Sequence, residues 1–116
     1  MIKIEAILRE EKMHDVINAL TEIEVNGLTV YQVMGHGTQK GYLEFVRGQE
    51  ISVNLVPNIK FEILVSSEEW EKKTIKAIQR AAFTGEVGDG KIFSSDLRSV
   101  LRIRTEEIDY DALQSK

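Results

Sequence analysis

Two segments constrain this chain more than any others: residues 2–8, IKIEAIL, and residues 59–65, IKFEILV. Both alternate with period two. Ile2, Ile4, Ala6 and Leu8 share one face of the first, and Ile59, Phe61, Ile63 and Val65 share one face of the second. That is the pattern of a half-buried strand. Each is followed by a change to helical period. Over residues 11–23, Met13, Val16, Ile17, Leu20 and Ile23 mark one stripe, with Asn26-Gly27 as the stop. After the second strand, Ser66 and Glu69 read as a capping box opening a helix to about Phe83, with Ile75, Ile78 and Ala82 on one side. Further strands are expected at 28–34, near 91–94 and at 100–104. The order strand-helix-strand, long loop, strand-helix-strand predicts an α+β fold, a ferredoxin-like double βαβ sandwich.

Helices in such a fold cover one sheet face. The face left open carries Lys3, Glu5, Ile7, Lys60, Glu62, Leu64, Arg102 and Arg104. A mixed charged and aliphatic face either meets water or packs against copies of itself, and we favour self-association. A chain of 116 residues buries only about two thirds of its unfolded surface, so oligomerisation adds useful stability.

Residues 35–57 separate the halves, hold Gly35, Gly37, Gly41 and Gly48, and end on Pro57, the single proline. Connections this long are usually functional or disordered. An extended hairpin and a mobile docking arm are equally good readings, since YLEFV and ISVNLV have strand-like composition. The base, Gly35-His36-Gly37-Thr38-Gln39-Lys40-Gly41, offers backbone amides and one cation to an anion. It lacks the Gly-Lys-Ser/Thr ending of a Walker motif, and alone it reads as a plain turn. Residues 84–91, Thr-Gly-Glu-Val-Gly-Asp-Gly-Lys, are a second glycine-rich turn. Asp-Gly is common in tight hairpins, but the same amides capped by Lys91 suit phosphate. Arg102-Ile103-Arg104 is the third element, since arginine forks match phosphate oxygens. Each has a bland alternative; their co-occurrence favours a phosphate-bearing ligand.

Several classes fall away. The net charge of −4 argues against a nucleic-acid binder. The chain has no cysteine, so disulfides and thiolate metal sites are excluded. No apolar run approaches the roughly 20 residues that span a bilayer. An alternating strand starts at residue 2 with no visible signal peptide, and a cytoplasmic protein is expected. His14 and His36 stand apart, with His14 expected on its helix surface, and Trp70 reads as packing. No nucleophile system is recognisable.

Together and in this order the pieces resemble the PII signal-transduction family from Ile2 to about Thr105. The match is carried by Lys3-Ile4-Glu5-Ala6-Ile7, Gly27-Leu28-Thr29-Val30, Gly35-x-Gly37-x-Gln39-Lys40-Gly41, Glu44, Arg47-Gly48-x-Glu50, Pro57, Lys60-x-Glu62-Ile63, Thr84 to Phe93 and Arg102-Ile103-Arg104-Thr105. One apparent extra residue near Ser67–Trp70 displaces the second half. The resemblance implies one PII-like domain over 1–116, assembling as a homotrimer with ATP or ADP in the clefts between subunits. It places Gly37, Thr38, Gln39, Lys40 and the turn containing Val87, Gly88, Asp89, Gly90 and Lys91 at the phosphates. Ile7, Thr29, Gly35, Glu62, Ile63 and Leu64 lie around the adenosine, and Arg102 and Arg104 reach across the subunit boundary. Residues 37–56 correspond to the T-loop, which docks on transporters and enzymes, and about 102–116 to a C-terminal loop. Gln39 would be the magnesium contact.

The chain departs from the family pattern where modification and oxoacid sensing reside. The uridylylated tyrosine is replaced by Ile51 and the phosphorylated serine by Gln49, so neither modification is expected. Thr38 stands for an arginine at the nucleotide, and Asn58 for the lysine that holds 2-oxoglutarate. A neutral amide forfeits a charge-assisted bond roughly twice as strong as a neutral one, so 2-oxoglutarate sensing is not expected. These departures resemble a branch that accompanies polyamine transporters in lactic acid bacteria; a polyamine or ammonium transporter is the guess at a partner. The expected function is regulatory and non-enzymatic. Its rivals are a ligand-free trimer, an acylphosphatase-like phosphate-processing enzyme and an RNA-binding module.

Overall fold

The computed structural model describes residues 1–36, 42–46, 49–53 and 55–113, with side chains described at 1–35 and 55–113. The two alternating segments form the centre of a four-stranded antiparallel sheet. β1 (Ile2–Leu8) pairs with β5 (Leu55–Val65) from Ile2 opposite Val65 to Leu8 opposite Ile59. β2 (Leu28–His36) lies outside β5, and β6 (Lys91–Asp96) outside β1, giving the order β2-β5-β1-β6. This is the ferredoxin-like arrangement. β3 (Tyr42–Val46) and β4 (Gln49–Val53) make a separate antiparallel pair: YLEFV is β3, but ISVNLV is divided, its first three residues on β4 and Leu55 and Val56 on β5. Ile51 and Gln49 lie on β4; their side chains, like residues 37–41, are outside those described.

β2 and β5 run further than their apolar alternation indicates, to His36 and back from Leu55. Pro57 is tolerated because this part of β5 has outrun β1 and pairs only with β2, at Met34.

α1 (Met13–Glu22), entered through a short 3-10 turn at Glu10–Lys12, and α2 (Glu68–Ala82) pack on one sheet face and on each other. Ile4, Ala6, Phe61 and Ile63 beneath them are fully buried with Val16, Leu20 and Ile78. Truncating Phe61 to alanine would cost roughly 3–5 kcal/mol. Trp70 packs against this core and His14 is exposed, both as expected.

Two helix ends differ in detail from the sequence reading. The left-handed residue closing α1 is Glu24 (φ 63°), not Gly27. Val25 N–H donates to Leu20 O and Glu24 N–H to Thr21 O, both at 2.9 Å, a Schellman motif that buries Val25 beside Leu20. The cap of α2 is Ser67, whose hydroxyl accepts from Trp70 N–H at 3.3 Å; Ser66 is one residue too early. The apolar contact decides the first, and the actual start of helical backbone the second.

The larger correction concerns residues 100–104. They are not a strand. Leu101 makes one isolated bridge to Ile108, residues 103–105 turn, and a short α3 (Asp109–Leu113) follows. Alternation therefore does not apply, and Arg102 and Arg104 do not belong to the open sheet face. No helix among the described residues is long and apolar enough to cross a membrane.

Candidate functional site

The centre of the open face is a neutral charge lattice. Lys60 Nζ sits 2.8 Å from Glu5 and 3.9 Å from Glu62, while Lys3 Nζ lies 3.7 and 3.8 Å from the same two carboxylates. Tyr31 donates its hydroxyl to Glu62 at 2.7 Å. The hydrogen bond from Lys60 holds the Glu5 carboxyl below its ordinary range, and Glu5 in turn pushes the Lys60 ammonium up to about 12. Lys60 also lies 5.7 Å from the Tyr31 ring and 6.0 Å from that of Phe93. Two lysines and two glutamates thus cancel, and Tyr31, Leu64 and Phe93 stand partly exposed around them.

Register places the candidate nucleotide residues. Thr29 lies opposite Glu62, and Ile7 lies between Lys60 and Lys91, all on this open face with Leu64. Gly35 pairs with Val56 beyond the end of β1. Ile63 alone breaks the pattern: its side chain is in the core, so only its main chain is left for a ligand. Asn58, where the PII resemblance expects a lysine, keeps its amide beside Gly35 and donates to Val56 O at 3.5 Å. Gly37, Thr38, Gln39 and Lys40 lie outside the described residues.

The turn between α2 and β6 is built around one carboxylate. Asp89 accepts hydrogen bonds from Thr84 N–H and Gly85 N–H, each at 2.9 Å, from the Thr84 hydroxyl, and from Arg9 Nε at 3.2 Å. The Thr84 hydroxyl and amide, helped by Gly85 and Arg9, hold the Asp89 carboxyl well below the usual carboxylate range. Gly85, Gly88 and Gly90 all have positive φ. At Gly90 no side chain is possible, because a Cβ would come within 1.8 Å of Ile7 O. Asp89 is a candidate ligand contact from sequence; its carboxylate faces into the turn and shapes it, which leaves its main chain for a ligand. Val87 and Lys91 are left exposed. Arg9, absent from the sequence-based candidates, belongs to this assembly; only its position just after β1 hinted at it.

The arginine loop is elsewhere. Leu97 N–H donates to Met1 O at 3.0 Å, and Val100 to Arg102 then border a groove of about 750 Å³ with Gly27, Leu64, Ser66 and Trp70. Arg102 Nη2 donates to Ala112 O at 2.9 Å and its Nε lies 3.8 Å from Glu107. Arg104 is exposed. This groove is at the Ile2 end of β1, whereas the glycine turn and Gly35 are at the Leu8 end. At about 3.4 Å per strand residue, roughly 17 Å separates Ile2 from Ile7. One chain therefore sets the turn at 84–91 beside Ile7, has Gly35 on β2 beyond the same end of β1, and keeps Arg102 and Arg104 at the other end.

A ferredoxin-like sheet with one charged open face and a glycine turn tied to the end of β1 through Arg9 is the architecture that the resemblance to the PII family implies. Comparison with known proteins agrees. The family model described as Nitrogen regulatory protein P-II matches residues 1–107. The chain is 48% identical over 113 residues to Nitrogen regulatory protein P-II 1 of Methanothermobacter thermautotrophicus, covering 97% of each chain. It is 45% identical over 113 residues to Nitrogen regulatory protein P-II of Pasteurella multocida, covering 97% of this chain and all of that one. With Nitrogen regulatory protein GlnK of Escherichia coli K12 it shares 44% over 107 residues, 92% and 95% of the two chains. The chain belongs to the P-II family of nitrogen regulatory proteins, and it is a regulator, not an enzyme.

Proposed function

We propose that this chain is a homotrimeric sensor of ATP and ADP that signals through residues 37–56. The observation that supports it most is the separation of the phosphate-binding groups. The glycine turn and the arginine pair sit at opposite ends of one sheet, so a shared ligand needs the arginines of a second copy. The open face gives copies a place to meet: Lys3, Glu5, Lys60 and Glu62 are already paired with one another, and burying Tyr31, Leu64 and Phe93 between copies removes apolar surface from water.

In this assembly the turn at Val87–Lys91 holds the phosphates, with Gly37, Thr38, Gln39 and Lys40 closing from the base of the loop. Ile7, Thr29, Gly35, Glu62, the Ile63 main chain and Leu64 surround the adenosine. Arg102 and Arg104 arrive from the neighbour, and Gln39 is the contact for a phosphate-bound magnesium. The whole chain, 1–116, acts as one unit. ATP and ADP differ by one phosphate and bias different loop arrangements, to the extent of their differential affinity. The loop then docks on a transporter or metabolic enzyme on the cytoplasmic side, where both nucleotides are abundant. Asn58 offers no positive charge, so 2-oxoglutarate has little effect.

Sedimentation and calorimetry with ATP and ADP, with and without magnesium and 2-oxoglutarate, test this. A trimer with micromolar-range affinity is expected; a monomer, or no heat with either nucleotide, overturns it. A mixing experiment is sharper. Lys91→Ala and Arg104→Ala chains each damage every site alone, but a mixed trimer regains one intact site. No recovery on mixing would place turn and arginine in the same chain's site.

A further inference from the structure

The glycine turn is not shaped by its own residues alone. Arg9, which follows β1, reaches it across 78 residues of sequence and donates Nη2–H to Val87 O at 2.7 Å. The same guanidinium donates Nε–H to Asp89 at 3.2 Å, and its Nη1 lies 3.9 Å from Glu11. With its side chain only 16% exposed, Arg9 is spent on the protein and has little left for a ligand.

The Val87 bond has a geometric consequence. In a trans peptide the C=O and the following N–H point in opposite directions, and none of the described peptides is cis. Holding Val87 O on Arg9 therefore turns the Gly88 N–H away from Arg9. Gly88 has φ of 104°, and a glycine at this position leaves the 87–88 peptide easy to flip. A flipped peptide would present a carbonyl oxygen where an anion needs a donor.

We propose that Arg9 is a positioning residue for the phosphate site: it locks the 87–88 peptide so that the Gly88 N–H, not the Val87 carbonyl, meets the nucleotide's phosphates. This rests on the nucleotide-sensor reading above. Arg9 touches no ligand; it acts through the peptide it pins, while Asp89 fixes the other side of the turn.

The test is calorimetry of the trimer with ATP, ADP and adenosine, for wild type, Arg9→Ala and Arg9→Lys, with amide NMR of Gly88. In Arg9→Ala, ATP and ADP affinity should fall about tenfold, the scale of one lost hydrogen bond to a charged group. Adenosine affinity should stay unchanged, and the Gly88 amide should lose its nucleotide-induced shift. Arg9→Lys supplies one donor in place of the fork and should recover part of the phosphate-dependent loss; it also serves if the alanine variant fails to fold. Equal losses for adenosine and ATP would make Arg9 merely structural and overturn the proposal, as would unchanged ATP affinity in a folded variant. If wild type binds neither ATP nor ADP, the sensor reading falls and this proposal with it. If wild type binds and Arg9→Ala binds equally well, only the role of Arg9 falls.

Discussion

The two ends of the sheet hold cations in opposite ways. At the Leu8 end, Arg9 is locked inward and builds a shape, with Asp89 tying Thr84, Gly85 and Arg9 into one turn. At the Ile2 end, Arg104 is exposed and Arg102 is lodged on Ala112 O and near Glu107, contacts that belong to its own C-terminal segment. One end is a preformed cradle whose cation cannot leave without spoiling it. The other carries Arg102, half-buried, and Arg104, exposed, on a turn that follows the sheet. A braced turn at one end and two arginines on a separate turn at the other are the division expected if the two ends meet only across a subunit boundary.

Substitutions at the two ends should therefore fail differently. Gly90→Ala should be the most damaging, because a Cβ would collide with Ile7 O and φ is 98°. A loss of roughly 3 kcal/mol is expected, seen as a thermal midpoint lower by on the order of 10 °C. A midpoint within a degree or two of wild type would mean that the turn is not braced against β1. Arg104→Ala should do the reverse. Its side chain is exposed, so the midpoint should hold while calorimetric ATP affinity drops about tenfold for one lost charge-assisted contact. If the midpoint falls and affinity holds, the contrast between the ends is inverted.

How much of this was legible follows the same divide. The sheet faces were readable because Ile2, Ile4, Ala6, Leu8 and their counterparts on β5 alternate without interruption, and burial follows alternation. The glycine turn was readable as a candidate because Thr84–Lys91 is a compact local motif. Arg9 was not, since its partners are 78 and 80 residues away and nothing in its neighbourhood marks them. The Arg102–Arg104 segment misled for a related reason. Alternating Leu101, Ile103 and Arg102, Arg104 imitates a strand, but the chain makes a single bridge from Leu101 to Ile108 and turns back at Glu106, whose φ is 61°. The Asn26-Gly27 stop was overruled by burial of Val25, a tertiary contact that outweighs glycine's local preference.

Acid should separate the ends next. Asp89 titrates below its ordinary range, so its folded state favours the carboxylate. The stability it contributes is complete above the unfolded value of about 4 and is lost as pH falls toward the depressed folded value. Asp89→Asn removes that dependence. The midpoint gap between wild type and variant should be widest near pH 7 and narrow steadily below about pH 4. A gap independent of pH would show that the side chain's shape, not its charge, holds the turn.

The smallest effect expected is at Glu107. Its carboxylate is 3.8 Å from Arg102, with both side chains roughly one-fifth to one-quarter exposed, so the pair is partly screened. In the proposed trimer, Arg102 must turn from this local contact toward a phosphate on the neighbouring copy, and Glu107 competes with that phosphate. Glu107→Gln keeps the shape and removes the charge. Weakening that one hold on the guanidinium should raise ATP affinity by about two- to fivefold, the range a partly exposed ion pair can impose, with a smaller gain for ADP, which carries less charge. Weaker binding in the variant would mean that Glu107 presents Arg102 to the ligand instead of withholding it, and the loop would then be as preformed as the cradle it faces.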